Sequence, residues 1–162
     1  VRNSSEQISA LYENVESRAR IRINSVEPEF FASMKDVHGD DFVFRMFVLD
    51  GVPVAFTSAL YSKDVGEAQF VGFDPRFNQS HALYHNMLFS FIMDAIHYRV
   101  VKLNFGRTAT EIKSTVGSRP EDQVCAIHFH NTTISSLART AISRFSNSDY
   151  VIRRPFRARS ID

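Results

Sequence analysis

The segment Phe105-Gly106-Arg107-Thr108-Ala109-Thr110-Glu111-Ile112-Lys113-Ser114-Thr115-Val116-Gly117 concentrates the side chains best suited to chemistry. Arg107 and Lys113 are two cations able to orient a phosphate or a carboxylate. Glu111 stands between them, a carboxylate able to accept a proton. The apolar run Val100-Val101-Lys102-Leu103-Asn104 precedes them and reads as a buried strand. Thr108-x-x-Glu111 is a capping pattern that opens a short helix over 108–116, which Gly117 is placed to stop. A strand running straight into a helix start presents free main-chain N–H groups at a sheet end, where anions bind. The plainer reading is also open. Arg107 and Lys113 would then be solvated helix-end charges, and Glu111 the capping partner of Thr108.

Other polar residues carry weaker signals. Tyr84 falls in the first turn of a long helix, either as a hydrogen-bond donor or as a buried core tyrosine. His81 and His85 lie four apart on one helix face, a spacing able to bind a metal, but no carboxylate motif accompanies them. His128 and His130 alternate onto one face of an expected strand, with Cys125 on the other parity. They read as structural histidines, and either is a proton acceptor if that face borders a cleft. No metal site is expected. Cys125 has no cation pattern around it and reads as a small buried apolar residue. Asp74 and Arg76 read as loop charges at the end of a strand. Arg153, Arg154, Arg157 and Arg159 form a basic tail, able to meet RNA phosphates but more simply a solvated end.

Composition narrows the classes. A chain of 162 residues has the length of one domain and enough material for a core, so a single domain over 1–162 is expected. Apolar residues make up 44% and charged residues 23%, as in ordinary globular proteins. The net charge of +1 gives no overall attraction to nucleic acid or anionic membranes. One cysteine excludes an internal disulfide framework and suits a reducing, cytoplasmic setting. No apolar run is long enough to span a bilayer, and no membrane insertion is expected. The start at Val1 rather than Met also suits a fragment of a longer chain, with a second domain or a homodimer completing it.

Several elements must position these side chains. A capping pattern at Ser4-Ser5-Glu6-Gln7, then Ile8, Leu11, Tyr12 and Val15, predicts a helix over 5–18. Pro28 suits a first helical position, Phe30, Phe31, Met34 and Val37 form a stripe, and Gly39 closes a second helix. Two β-rich runs, 42–49 and 52–61, flank Asp50-Gly51 and predict a hairpin. A turn at 63–66 leads to a strand over 67–73. A loop over 74–79 follows, then a long helix from near Ser80, a strand over 100–105 and the short helix. A strand over 124–130, a helix over 132–145 and a last strand at 150–152 complete the order. Three hairpin-linked strands followed by a βαβ crossover imply a mixed α/β (α+β) sheet, antiparallel first and parallel later.

That order, with Asp50-Gly51-Val52-Pro53-Val54-Ala55-Phe56, Leu83-Tyr84, Phe105-Gly106-Arg107-Thr108, Glu111-x-Lys113 and Gly117, resembles the GNAT (acyl-CoA N-acyltransferase) fold. Within it the chain is most similar to FemAB-like and related acetyltransferase-type domains of bacterial cell-envelope and polysaccharide proteins. The resemblance covers roughly 6–130. A typical GNAT carries an Arg/Gln-x-x-Gly-x-Gly/Ala loop around the pyrophosphate of coenzyme A. The corresponding Arg76-Phe77-Asn78-Gln79-Ser80-His81-Ala82-Leu83 has no glycine. FemAB-type domains lack the loop too and take their acyl group from aminoacyl-tRNA.

The resemblance implies an N-acyltransferase that passes an acyl or aminoacyl group from a thioester or tRNA-borne donor to an amine. Acyl-CoA would be the co-substrate, and the acceptor a small molecule or a cell-envelope amine. The donor would lie between 69–73 and 103–105, with Phe73 and Arg76 on the cofactor side. Arg107, Lys113, Asn104, Gly106 and Thr108 would orient donor or acceptor. Tyr84 would assist, and Glu111 or His128 would take the proton. A catalytically inactive domain of the same fold, binding an envelope precursor or a partner protein, is the alternative. An RNA-binding module resting on the arginine tail is a third reading.

Overall fold

The computed structural model describes residues 5–18, 26–122, 128, 130 and 151–156. The chain divides into two compact units, Val1–Thr108 and Ala109–Asp162. In the first unit, helix α1 spans Ser5–Glu16 and buries Ile8 and Leu11. Helix α2 spans Pro28–His38 and opens on proline, whose missing N–H is no loss at a first helical position. Gly39 ends it at φ +55 and donates its N–H to the Lys35 carbonyl. Only glycine takes that left-handed turn cheaply.

Strands β1 (Phe42–Leu49) and β2 (Val52–Ser62) form the expected hairpin. Asp50 and Gly51 both have positive φ, +50 and +80, the twist that a two-residue hairpin turn requires. Strand β3 spans Val65–Phe73 and starts two residues before the expected Glu67. The turn needs only Lys63 and Asp64, with Lys63 taking the positive φ. Gly66 is therefore inside the strand, and a Cβ there would stand 2.8 Å from the Tyr61 ring.

After β3 the chain departs from the expected loop and single helix. A 3-10 turn (Pro75–Phe77), a one-turn helix α3 (Asn78–His81) and a break at Ala82 precede helix α4 (Leu83–His97). Strand β4 is only Lys102–Asn104, shorter than expected and not buried; Val101 is 85% exposed. The described sheet has the order β1-β2-β3-β4, antiparallel twice and then parallel. The mixed sheet is as the element order implied.

The sheet is covered on both faces. Ile8 and Leu11 of α1 and Phe31 of α2 pack with Phe42 and Phe56 on one side. Leu83, Met87, Phe91 and Ala95 of α4 pack on Val54, Ala55, Ala59 and Tyr61 on the other. Phe31, Phe42, Phe56 and Phe91 are buried, and each fully buried Phe stabilises by about 1.5–3 kcal/mol. Arg45 of β1 pairs with the buried Asp94 of α4, satisfying a carboxylate that burial would otherwise penalise.

The second unit contains helix α5, Thr110–Ser114. It is shorter than the expected 108–116. Residues 151–156 form no strand, contrary to the expectation for 150–152. Arg153 pairs with Glu111 at 3.0 Å, and its N–H donates to Ser114 Oγ at 2.9 Å. The expected strand 124–130 and helix 132–145 lie outside the described residues, apart from His128 and His130.

Candidate active site

The parallel pairing of β3 with β4 lasts three rungs: Val65 with Lys102, Gly66 with Leu103, and Glu67 with Asn104. It stops because of the next residues. Asn104 Oδ1 accepts the Gly106 N–H at 2.9 Å, and Gly106 takes φ +74, so the chain turns out of the strand. Beyond Glu67, no described strand pairs with that edge of β3. A gap thus opens at the carboxyl ends of two parallel strands, where open α/β sheets bind ligands. Gly106 lines it closely; a Cβ there would stand 3.8 Å from the Ala68 carbonyl.

The open stretch of β3 is bent. Ser58 of β2 opposes Phe70 while Ala59 opposes Ala68, which leaves Gln69 as an extra residue in a β-bulge. Ser58 is fully buried, and its Oγ accepts the Phe70 N–H at 3.2 Å while facing the Phe70 carbonyl at 3.5 Å. One hydroxyl therefore serves both main-chain groups that the bulge disturbs. Sequence reading missed this pair, because Ser58 sits in an unremarkable apolar strand. Glu67, exposed on the last rung before the gap, was missed as well. Only the end of the ladder marks it.

The carboxyl end of β3 meets the start of α4. Phe73 packs edge-to-face on Tyr84 with ring centroids 5.7 Å apart. Burial pushes the Tyr84 phenol above its ordinary range. Asp74 caps the 3-10 turn by accepting the Arg76 N–H, and the Arg76 guanidinium binds the same carboxylate at 2.6 Å. The hydrogen bonds from Arg76 hold the Asp74 carboxyl below its usual value. The segment that lacks glycine closes on itself. Asn78 Oδ1 accepts the Tyr84 N–H at 2.9 Å, Asn86 Nδ2 donates to the His81 carbonyl, and Ala82 takes the left-handed conformation at φ +47.

Structure brings together Asn104 with Gly106, and Phe73 with Tyr84, and it leaves Arg107 and Thr108 exposed in the loop after β4. The capping pattern is corrected. Ala109, at φ +56, is the residue before α5, and its methyl cannot cap the helix. Glu111 instead pairs across the chain with Arg153. Lys113 is buried at 7% exposure, and desolvation lowers its pKa to about 8. Neither reading of the sequence anticipated that burial. His128 and His130 are exposed, with ring centroids 5.1 Å apart. Among the described residues, no group of three or more His, Cys, Asp or Glu side chains is placed to hold a metal. None of their helices is long and apolar enough to cross a membrane.

No protein-family model matches this sequence, and no curated protein matches it. Solved structures do. A predicted acetyltransferase from Clostridium acetobutylicum, solved with acetyl-CoA, matches with a TM-score of 0.62 at 11% identity, over 81% of this chain and 96% of that one. An acetyltransferase from Trypanosoma brucei matches with a TM-score of 0.59 at 14% identity, over 80% and 95%. Glucosamine-6-phosphate N-acetyltransferase from Arabidopsis thaliana matches with 0.58 at 15% identity, over 78% and 92%. With its mixed sheet and the early end of the β3–β4 ladder, this chain has the GNAT fold.

Proposed function

We propose that this protein is an N-acyltransferase that transfers an acyl or aminoacyl group from a thioester or tRNA-borne donor to an amine. The observation that carries this reading is the gap left where β3 and β4 stop pairing after Glu67 and Asn104. A donor seated there would meet main-chain groups along 68–73 that no described strand uses. The bulge at Gln69 re-aims them, and a fixed N–H is a ready donor to a developing oxyanion. The amine nitrogen attacks the donor's carbonyl carbon, the C–N bond forms, and the C–S bond of the thioester, or the C–O bond of an aminoacyl ester, breaks. The thiolate or alkoxide leaves and takes up a proton, while the amine gives one to a base. Glu111 or His128 is the base in this reading, Tyr84 assists the leaving group, and Arg107, Lys113 and Thr108 orient the anionic portions of the substrates. Asn104 and Gly106 shape the wall opposite Ala68, and Phe73 and Arg76 flank the donor.

The donor is acyl-CoA or a FemAB-type aminoacyl-tRNA. Asn78 already fills the Tyr84 N–H, at the helix start where a pyrophosphate would bind. This favours a donor held differently from the usual coenzyme A mode. The protein would act on a small-molecule or cell-envelope amine in the bacterial cytoplasm, as one domain or as a piece of a longer chain. The self-closed loop also supports a second reading, an inactive GNAT-fold domain that binds an envelope precursor or a partner protein.

Thiol release from acetyl-CoA in the presence of a panel of amines tests the main reading, together with calorimetry of acetyl-CoA binding. Amine-dependent thiol release is expected. Binding of neither acetyl-CoA at millimolar concentration nor a charged tRNA would leave only the inactive-domain reading.

A further inference from the structure

Helix α4 is apolar on both sides. Its inward face buries Leu83, Met87, Leu88, Phe91 and Ala95. Its outward face carries Phe89, Met93 and Ile96, which are 50%, 69% and 72% exposed. Their spacing of four and then three residues aligns them in one stripe along the helix. Among Asp, Glu, Lys and Arg the helix holds only Asp94, which is buried and turned to Arg45. A helix face that stays in water ordinarily carries charge, and a helix apolar all round is one that is covered all round. Within Val1–Thr108, α4 is the one helix of more than a turn on its face of the sheet, since α1 and α2 pack on the other.

From this we propose that α4 is the contact between two copies of this chain, which pair antiparallel about a two-fold axis beside Met93. The stripe matches itself in that arrangement: Met93 meets the partner's Met93, and Phe89 meets the partner's Ile96. A single convex helix offers no groove to an extended peptide. A second convex helix seats its side-chain ridges in the grooves of the first. Charge fixes the direction. His97, Arg99 and Lys102 are exposed at or just beyond the end of α4. Parallel pairing would set these basic groups against their own copies, whereas antiparallel pairing keeps them apart and lets the helix dipoles oppose. The size is that of a reversible dimer. The stripe leaves roughly 400 Å² in water per copy, about 800 Å² for the pair, against about 1,600 Å² for a standard stable interface. The copies therefore associate and separate with concentration. This pairing is independent of the acyl-transfer reading.

Sedimentation equilibrium of the intact chain, from low micromolar to near-millimolar concentration, tests this. The mass is expected to rise from 18.5 kDa towards twice that value and to stop there. Met93→Glu sets two carboxylates on the axis and should weaken self-association about a hundredfold. Val37→Glu, at an exposed position of α2, should leave it unchanged. Met93 is exposed in the single copy, so its exchange spares the core, and circular dichroism checks that each variant is folded. Cross-linking reads the register. In a Cys125→Ser background, which removes the one cysteine, a short bis-maleimide should join Met93→Cys to itself. It should join Phe89→Cys to Ile96→Cys in a mixture, and each of these to itself only slowly. A chain that stays monomeric throughout, or a dimer that Met93→Glu leaves intact, overturns the proposal. So does growth beyond a dimer, or a Phe89→Cys chain that cross-links to itself as fast as Met93→Cys.

Discussion

Asn78 Oδ1 accepts the backbone N–H of Tyr84, six residues ahead, at 2.9 Å. That bond occupies an amide at the start of α4, one of the four that an α-helix leaves without an internal partner. In a glycine-rich loop the main chain itself would sit close to this helix start and leave its amides to a ligand. Here a side chain of the same segment takes one of those amides instead. Asn78→Ala is expected to cost about 1 kcal/mol of stability, the usual value for a lost helix cap. Urea unfolding checks it. Acetyl-CoA affinity measured on the same variant reports whether the freed amide is then available to a phosphate, in which case affinity rises.

Ala82 carries a strain that the chain need not keep. It sits at φ +47 and ψ +40 between α3 and α4. A residue with a Cβ pays about 1–2 kcal/mol for the left-handed conformation, and glycine does not. Part of the gain returns to the unfolded chain, which glycine makes more flexible. Ala82→Gly is therefore expected to raise stability by about 1 kcal/mol, seen as a higher urea midpoint with an unchanged slope.

Ser58 holds the bulge from a fully buried position. Ser58→Ala removes the acceptor for the Phe70 N–H and leaves that donor unsatisfied. A loss of about 1–3 kcal/mol follows. If the bulge aims β3 at the donor, the turnover number falls as well, with little change in the amine KM. Steady-state kinetics at saturating donor measure that split.

Lys113 makes stability depend on pH with a definite sign. Its pKa falls from 10.5 to about 8 because burial penalises the charged form. Between those values the folded chain has released a proton that the unfolded chain still binds. Stability from this group therefore rises as the pH goes from about 8 to 10.5, and its penalty is fully present below 8. Lys113→Met should flatten that rise. Denaturant midpoints at pH 7 and pH 10, for wild type and variant, give the comparison. Equal differences in both proteins would show that the rise belongs to other groups.

Apart from the one-turn helix α3 and the break at Ala82, the order of elements as far as α5 was legible from the residues alone, because short-range chemistry specifies it. Asp50-Gly51 can adopt two consecutive positive φ angles, Pro28 opens a helix, and Gly39 closes one. These signals act within four or five residues, and they read the same in any context. The apolar spacing of Ile8, Leu11 and Phe31 likewise named core residues before any neighbour was known.

What the tertiary structure decided lies at longer range. Glu111 meets Arg153, 42 residues away, instead of the local capping partner its spacing suggested. Lys113, a charged residue that local spacing alone would leave to water, is buried. The strand after α4 shrinks to three residues, because Val100 and Val101 donate to the Ala95 and Asp64 carbonyls before it and Asn104 turns back on Gly106 after it. The gap beside β3 exists only because that ladder ends, and Ser58 shapes it from the neighbouring strand. No pattern within one segment can encode such relations. Each depends on which surfaces the other elements bring against it, and burial and pairing are decided there.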